Sequence, residues 1–270
     1  MQLPINLFKA KLRDGAPLYG LWLGLPDASC AEICAMAGFD WLLVDAEHAP
    51  FDAPSILRHL QAIAPYQVPV LVRPVDGSAS LLKRLLDIGA QTLLVPMVES
   101  AEQATQIAAA VRYPPLGTRG LGTSLARAAR WNQVKDYLHD ANREICLIVQ
   151  VETTTALQNL PAILAVDGVD GVFIGPSDLS ASMGHIGNPG HPDVVAAVSA
   201  ALATIRAAGK AAGVLAVDAA LAARYVAAGA QFIGVGVDTV LLANAAKQLA
   251  ERCRKSGAAD TGSIGSVSID

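Results

Sequence analysis

Charge is scarce in this chain. Asp, Glu, Lys and Arg make up 16 % of its 270 residues, with a formal net charge of −4. No basic run occurs, aromatics are only 5 %, and no aromatic stripe is interleaved with basic residues. Nucleic acid and an anionic membrane surface are thereby excluded as main partners. Apolar stretches such as residues 194–205 stop well short of a bilayer span and are closed by Arg206. The start, MQLPINLFKAKLRDG, is charged early and lacks the apolar core of a secretory signal. Four cysteines (Cys30, Cys34, Cys146, Cys253) stand in apolar surroundings. Cys30 and Cys34 share a helical face, but no second ligand pair follows, so buried small hydrophobes fit better than a zinc site. A cytosolic protein is expected. No Gly-x-Gly-x-x-Gly turn follows the first strand, so neither a nucleotide cofactor nor an open dinucleotide-binding sheet is favoured.

What the chain does have is 53 % hydrophobic residues in a steady rhythm. Near-continuous apolar runs at residues 18–25, 41–45, 68–72, 92–98, 145–151, 171–174, 213–217 and 232–237 read as parallel strands covered on both sides. Between them, residues 29–37, 54–64, 78–86, 101–111, 153–164, 192–208, 219–228 and 239–254 read as helices. Pro54 and Pro192 suit first-turn positions; Gly38, Gly89, Gly209 and Gly229 sit where helices end. Eight β-then-α units in series predict a TIM (β/α)8 barrel, with a doubly wound sheet as the alternative. One domain is expected over residues 1–256, followed by a small, polar, flexible tail at 257–270. Residues 113–137 break the rhythm as a long Gly-, Pro- and Arg-rich insertion after the fourth strand, and long barrel loops are usually functional.

The stretch CLIVQVE organises the site. Alternation puts Cys146, Ile148, Gln150 and Glu152 on one face. A carboxylate pointing inward from a core strand is costly unless a cation or substrate receives it. Other strand ends supply Trp22, Asp45, Glu47, His48, Arg73 and Gly175-Pro176-Ser177-Asp178, with Leu215, Asp218 and Asp238 on the last two strands. Glu152 and Asp178 form the best pair for Mg2+ or Mn2+, although Asp178 alone reads as a helix cap. His48 is a candidate base, with Asp45 near enough in sequence to orient it, whereas His59, His139, His185 and His191 read as ordinary surface histidines. Arg73 would face the mouth and stabilise a developing oxyanion. Asp87 closes a helix, where its charge opposes the macrodipole, on the face opposite the strand ends. It is either an exposed residue or part of a neighbouring subunit's site. Lys83 and Lys210 lie away from strand ends, so no Schiff-base lysine is available.

These residues sit in stretches — LYGLWLGL, WLLVDAEHAP, VRP, TLLVPMVE, RYPPLGTRG, RAARWN, VQVET, DGVFIGPSDLSASMG and VGVDT — that together resemble the HpcH/HpaI family of class II pyruvate aldolases over residues 8–252. The resemblance implies a phosphoenolpyruvate/pyruvate-type TIM barrel, cytoplasmic, assembled as a homohexamer with sites near subunit interfaces and serving aromatic-compound catabolism. It implies a divalent metal ion (Mg2+, Mn2+ or Co2+) on Glu152 and Asp178, His48 as base, Arg73 on the enolate, and Asp87 supporting that histidine from an adjacent subunit. Gln150, Ser177 and the Gly175–Asp178 amides would hold pyruvate, Pro176 lying within that turn; Trp22 and Leu215 would line the aldehyde side. Ala46 stands where glycine is expected. The implied reaction is aldol formation and cleavage between pyruvate and an aldehyde such as succinic semialdehyde or hydroxypyruvate, giving 4-hydroxy-2-oxo acids such as 4-hydroxy-2-oxoheptanedioate. Three rivals remain: a citrate- or malyl-CoA-type carbon–carbon lyase, for which no basic cluster suits the CoA phosphates; a non-catalytic acid-binding barrel; and a sugar-phosphate barrel using GVGVD as a phosphate loop.

Overall fold

The computed structural model describes residues 1–260, with side chains to residue 255. In order the elements are α1 (Leu7–Lys11), β1 (Leu18–Leu23), α2 (Ala28–Ala35), β2 (Trp41–Asp45), α3 (Ala53–Ile63), β3 (Val70–Arg73), α4 (Ala79–Asp87), β4 (Thr92–Val95) and α5 (Ala101–Ala110). The second half runs α6 (Tyr137–Asp140), β5 (Cys146–Val151), α7 (Thr154–Gln158), α8 (Leu160–Leu164), β6 (Gly171–Ile174), α9 (Pro176–Ser182), α10 (Pro192–Ala207), β7 (Ala211–Leu215), α11 (Ala219–Ala227), β8 (Phe232–Val237) and α12 (Asp238–Asp260). The eight strands pair in sequence order, all parallel, and β8 closes onto β1. This is a (β/α)8 barrel. The expected tail at 257–270 lies outside the described residues beyond Asp260.

Alternation along the strands sorts two cores. Leu147, Val149 and Val151 pack outward under the helices. Cys146 and Ile148 join Trp22, Trp41, Leu43, Leu71, Leu94, Phe173 and Phe232 inside the barrel. Gly20 is required there, because a Cβ on it would lie 2.1 Å from the Trp41 ring. Gly234 does the same for Trp22, at 2.5 Å. The short helix α1, absent from the sequence expectation, plugs the bottom of the barrel. Its Phe8 meets the rings of Phe232 and Trp41 edge-on at 5.4 and 6.1 Å, and Asn6 ties it to Thr92 Oγ1 and to the carbonyls of Gln91 and Glu144.

Several expectations need correction. His59 is buried, not a surface residue: its ring lies 3.0 Å from the Ser55 carbonyl and 3.2 Å from that of Leu25, and packs edge-on to Phe51. Cys253 is exposed, so it is not a buried hydrophobe. The helix after β5 is broken into α7 and α8, where Pro161 cannot donate to a continuous turn. Residues 113–137 follow α5 and lead into β5, so the insertion belongs to the N-terminal end of the barrel, away from its own strand ends. There Tyr113, Ala126, Ala129, Val134 and Tyr137 make a small core of their own. Finally, α12 does not lie against the barrel wall. Every residue from 239 to 255 is exposed, including Leu241, Leu242 and Leu249. No helix among the described residues is long and apolar enough to cross a membrane.

Candidate active site

At the C-terminal mouth the aromatic column inside the barrel ends under Arg73. Its guanidinium carbon stands 5.8 Å from the centre of the Trp22 ring, and Trp22 packs on Trp41 and Phe173. Asp45 and Arg73 are register partners at the ends of β2 and β3. Asp45 receives two hydrogen bonds from Arg73, from Nε at 2.8 Å and from Nη2 at 2.5 Å. This fork corrects the sequence expectation: both Asp45 oxygens are taken by Arg73, so Asp45 orients the arginine and not the imidazole. Burial alone would lower the Arg73 pKa. The hydrogen bonds and charge of Asp45, with the charges of Glu47 and Glu152, raise it instead.

Glu47 is the strand-end residue to which the sequence reading gave no role. Its Oε2 lies 3.0 Å from Arg73 Nη1 and 3.6 Å from His48 Nε2, yet is buried without a hydrogen bond. Burial pushes the Glu47 carboxyl up; Arg73 and His48 pull it down, and Asp45 and Asp178 push it up further. The available signal was its position, two residues past a strand end and next to His48. His48 itself is open to solvent, its side chain 66 % exposed.

Glu152 follows the last residue of β5 and is 2 % exposed. It receives hydrogen bonds from the Met97 backbone N–H at 3.0 Å and from Gln150 Nε2 at 2.5 Å. Met97 reaches it from a left-handed turn after β4, φ 54°. Gly175 leaves the space, since a Cβ there would sit 2.5 Å from Glu152 Oε2. Burial raises the Glu152 pKa; the bonds from Gln150 and Met97 lower it, and the charges of Asp178 and Glu47 raise it again. Asp178 stands exposed in the first turn of α9. Gln150 Oε1 is buried without a partner. The N-terminal turn of α9 supplies Gly175, Pro176 and Ser177, and Leu215 ends β7 beside Gly234.

Oxygen donors that repel one another, one of them deeply buried and neither Glu152 nor Asp178 in an ion pair among the described residues, are the donor set that a hard divalent cation satisfies. The orphaned Gln150 oxygen beside them adds a further acceptor. These residues therefore fit a Mg2+-like ion.

Asp87 is elsewhere. It closes α4 at the other end of the barrel, where Arg119 Nη2 donates to its Oδ1 at 2.7 Å. Arg119 is buried, its guanidinium stacked 4.4 Å over the Tyr113 ring, and its Nε and Nη1 have no partner. Arg119, in the TRG of the insertion, thus offsets the charge that the helix end disfavours. The insertion and Asp87 form one structure.

The C-terminal mouth of this (β/α)8 barrel thus brings together a buried carboxylate, an exposed carboxylate and an aspartate-held arginine. The family model described as HpcH/HpaI aldolase/citrate lyase matches residues 18–245. The chain belongs to that family. It is 60 % identical over 252 residues to the hydroxypyruvate/pyruvate aldolase of Pseudomonas aeruginosa, covering 93 % of this chain and 94 % of that one. It is 58 % identical over 247 residues to the 4-hydroxy-2-oxo-heptane-1,7-dioate aldolase of Klebsiella pneumoniae, covering 92 % and 93 %. Among solved structures, an HpcH/HpaI aldolase/citrate lyase family protein from Burkholderia cenocepacia superposes with a TM-score of 0.87 at 41 % identity, covering 92 % of this chain and 99 % of that one.

Proposed function

We propose that this chain is a class II pyruvate aldolase, a carbon–carbon lyase that joins pyruvate, as its enolate, to an aldehyde and cleaves the 4-hydroxy-2-oxo acid so formed. The observation that carries the reading is the placement of the Asp45-held Arg73 at the same mouth as the buried, cation-seeking Glu152. Glu152 and Asp178 would hold a divalent ion such as Mg2+, Mn2+ or Co2+, which supplies Lewis acidity toward a 2-oxo acid when bound. The chain's own groups do the rest. The N-terminal turn of α9 offers the Ser177 and Asp178 N–H groups to a carboxylate, since Pro176 has none and the Gly175 N–H donates to the Val151 carbonyl at 3.2 Å. Gln150 orients the substrate through its free oxygen or amide. Arg73, fixed in plane by Asp45, faces the oxygen on which enolate charge builds. His48, its side chain 66 % exposed and its Nε2 3.6 Å from Glu47, takes the methyl proton directly or through water. Trp22 and Leu215 give the aldehyde an apolar wall. Succinic semialdehyde and hydroxypyruvate are the proposed acceptor class, aromatic-compound catabolism the proposed setting and the cytoplasm the proposed location, which four unpaired cysteines suit.

The test is solvent deuterium exchange into the methyl group of pyruvate with no aldehyde present. Exchange should appear with Mg2+, vanish with EDTA and return with Mn2+ or Co2+. Full aldol activity in metal-free protein would end the class II reading. Activity on a malyl or citramalyl thioester in place of pyruvate and aldehyde would favour the lyase alternative.

Assembly belongs to the same proposal. The helix α12, with Val240, Leu241, Leu242 and Leu249 each more than half exposed, presents an apolar surface that a second copy would cover. Asp87 and residues 113–137 lie away from their own mouth, so any part they play in chemistry is played in a neighbour's site. A homohexamer with interface sites accommodates both. Asp87→Asn should lower turnover by roughly tenfold and alter the limb of the pH profile that reports the general base, with folding unchanged in the far-UV spectrum. A monomeric form retaining full activity would contradict the interface role.

A further inference from the structure

Away from the barrel mouth's carboxylates, the loop between α9 and α10 gathers three ligand-type side chains that the proposed chemistry does not use. His185, His191 and Asp193 place one donor atom each within 4.8 Å of the others. His185 Nε2 and His191 Nδ1 both lie 3.7 Å from the same oxygen, Asp193 Oδ2. The two imidazoles stack face to face, centroids 3.6 Å apart and planes 14° from parallel. A metal lies in the plane of each imidazole that binds it, so one ring has to turn out of the stack to share an ion with the other. The 3.7 Å spacings to Asp193 are already close to the donor–donor spacings of about 3.3–3.6 Å that metal–ligand distances of about 2.0–2.2 Å give at tetrahedral angles.

We infer that His185, His191 and Asp193 form a second metal site, selective for borderline ions such as Zn2+, Ni2+ or Cu2+. Two imidazoles and one carboxylate suit these ions, whereas the all-oxygen pair Glu152 and Asp178 suits Mg2+ and Mn2+. The loop is held before any ion arrives. Gly184 and Gly187 take positive φ, 84° and 73°, and the backbone N–H groups of His185, Asn188 and His191 donate to the carbonyls of Ser180, Asn188's loop partner His185, and Asn188 in turn. His191 Nδ1 also accepts the Asp193 N–H at 3.3 Å as the cap of α10. That bond uses the in-plane lone pair of Nδ1, so an ion binding this nitrogen displaces the Asp193 N–H from it. The positive end of α10 opposes a cation, and the Asp193 charge in its first turn offsets this. The side chains are 28 %, 31 % and 70 % exposed, so the site is open to exchange with solvent. Its position gives it reach: His185 comes three residues after the end of the seven-residue helix whose first turn carries Asp178. An ion there clamps the loop that fixes the far end of that helix.

The test is calorimetric titration of Zn2+ into the full chain with excess Mg2+ present to fill the oxygen site. One equivalent should bind, and a Cu2+-loaded sample should show nitrogen superhyperfine splitting from two imidazoles. The variants His185→Gln and His191→Asn, the latter keeping a helix-capping residue, should each weaken Zn2+ binding on the order of tenfold or more, with Mg2+-supported aldol turnover unchanged. Zn2+ affinity equal to wild type in both variants, or copper spectra without the two-nitrogen pattern, would overturn the assignment. Because the readout is binding under excess Mg2+, it stands apart from whether the aldolase reading holds.

Discussion

Arg73→Ala is expected to lose aldol cleavage and pyruvate methyl exchange together, each by about 10²–10³-fold. Both reactions pass through the enolate, and Arg73 is the cationic side chain held at the mouth with a fixed orientation. A group that merely bound substrate would raise KM and spare kcat, because uniform binding does not lower the barrier from the bound state. The substitution also leaves Asp45, 5 % exposed, and the half-buried Glu47 without their counter-ion. Breaking a buried pair from one side costs about 3–5 kcal/mol, so lost activity alone would be ambiguous. Arg73→Lys separates the two effects. Lysine keeps a charge near the aspartate and much of the stability, but it cannot make the two-point fork that fixes the guanidinium. Thermal stability close to wild type with turnover still down by roughly 10²-fold is the expected outcome for lysine. Unimpaired exchange in either variant would remove Arg73 from the chemistry.

The barrel was legible because its strands are nearly pure apolar runs and its helices end at glycines; the period-2 alternation of residues 146–152 even sorted the inner wall from the outer one. The pairing at the mouth was not. Asp45 and His48 are close in sequence, which suggested a dyad, but barrel register sets Asp45 opposite Arg73, 28 positions further along the chain. Strand-to-strand neighbours decide side-chain partners more than sequence distance does. Glu47 was named at its strand end but given no role for a related reason: its burial against Arg73 comes from the fold of the loop, which its position next to His48 does not specify. The insertion was read as a long functional barrel loop after the fourth strand even though a helix was placed before it at residues 101–111; that helix, α5, sends the insertion to the opposite end of the barrel. There the Arg119–Asp87 pair explains why a helix end tolerates an aspartate, a compensation drawn from 32 residues away. The exposed α12 was equally hidden, since its amphipathic pattern states that it has a partner surface without saying which.

Glu152→Gln should bring the other large effect, and it should move stability and activity in opposite directions. Removing the buried carboxylate takes away a ligand of the proposed cation, so Mn2+ affinity should fall by 10–100-fold or more and aldol turnover with it. In the metal-free protein the ionised Glu152 is a burden: burial, then the charges of Asp178 and Glu47, hold its pKa above the ordinary carboxylate value of 4.5 against the bonds from Gln150 and Met97. A folded-state pKa raised above the unfolded one gives stability that is fully present below the unfolded value and is lost as pH rises through the folded one. The metal-free wild type should therefore lose this contribution as pH rises above the ordinary carboxylate range, and the glutamine variant, which has no such proton to release, should lose less. Glutamine fits the same space. Its carbonyl accepts the Met97 N–H, and a turned Gln150 offers its unpartnered oxygen to the new amide. Adding Mn2+ should reverse the ranking, raising the Tm of the wild type at neutral pH far more than that of the variant, because only binding to the folded state shifts the equilibrium. The paired melting curves, with and without EDTA across that pH range, read out the cation directly. Equal Mn2+ shifts in both proteins would mean that Glu152 is a buried structural carboxylate and that any ion binds elsewhere.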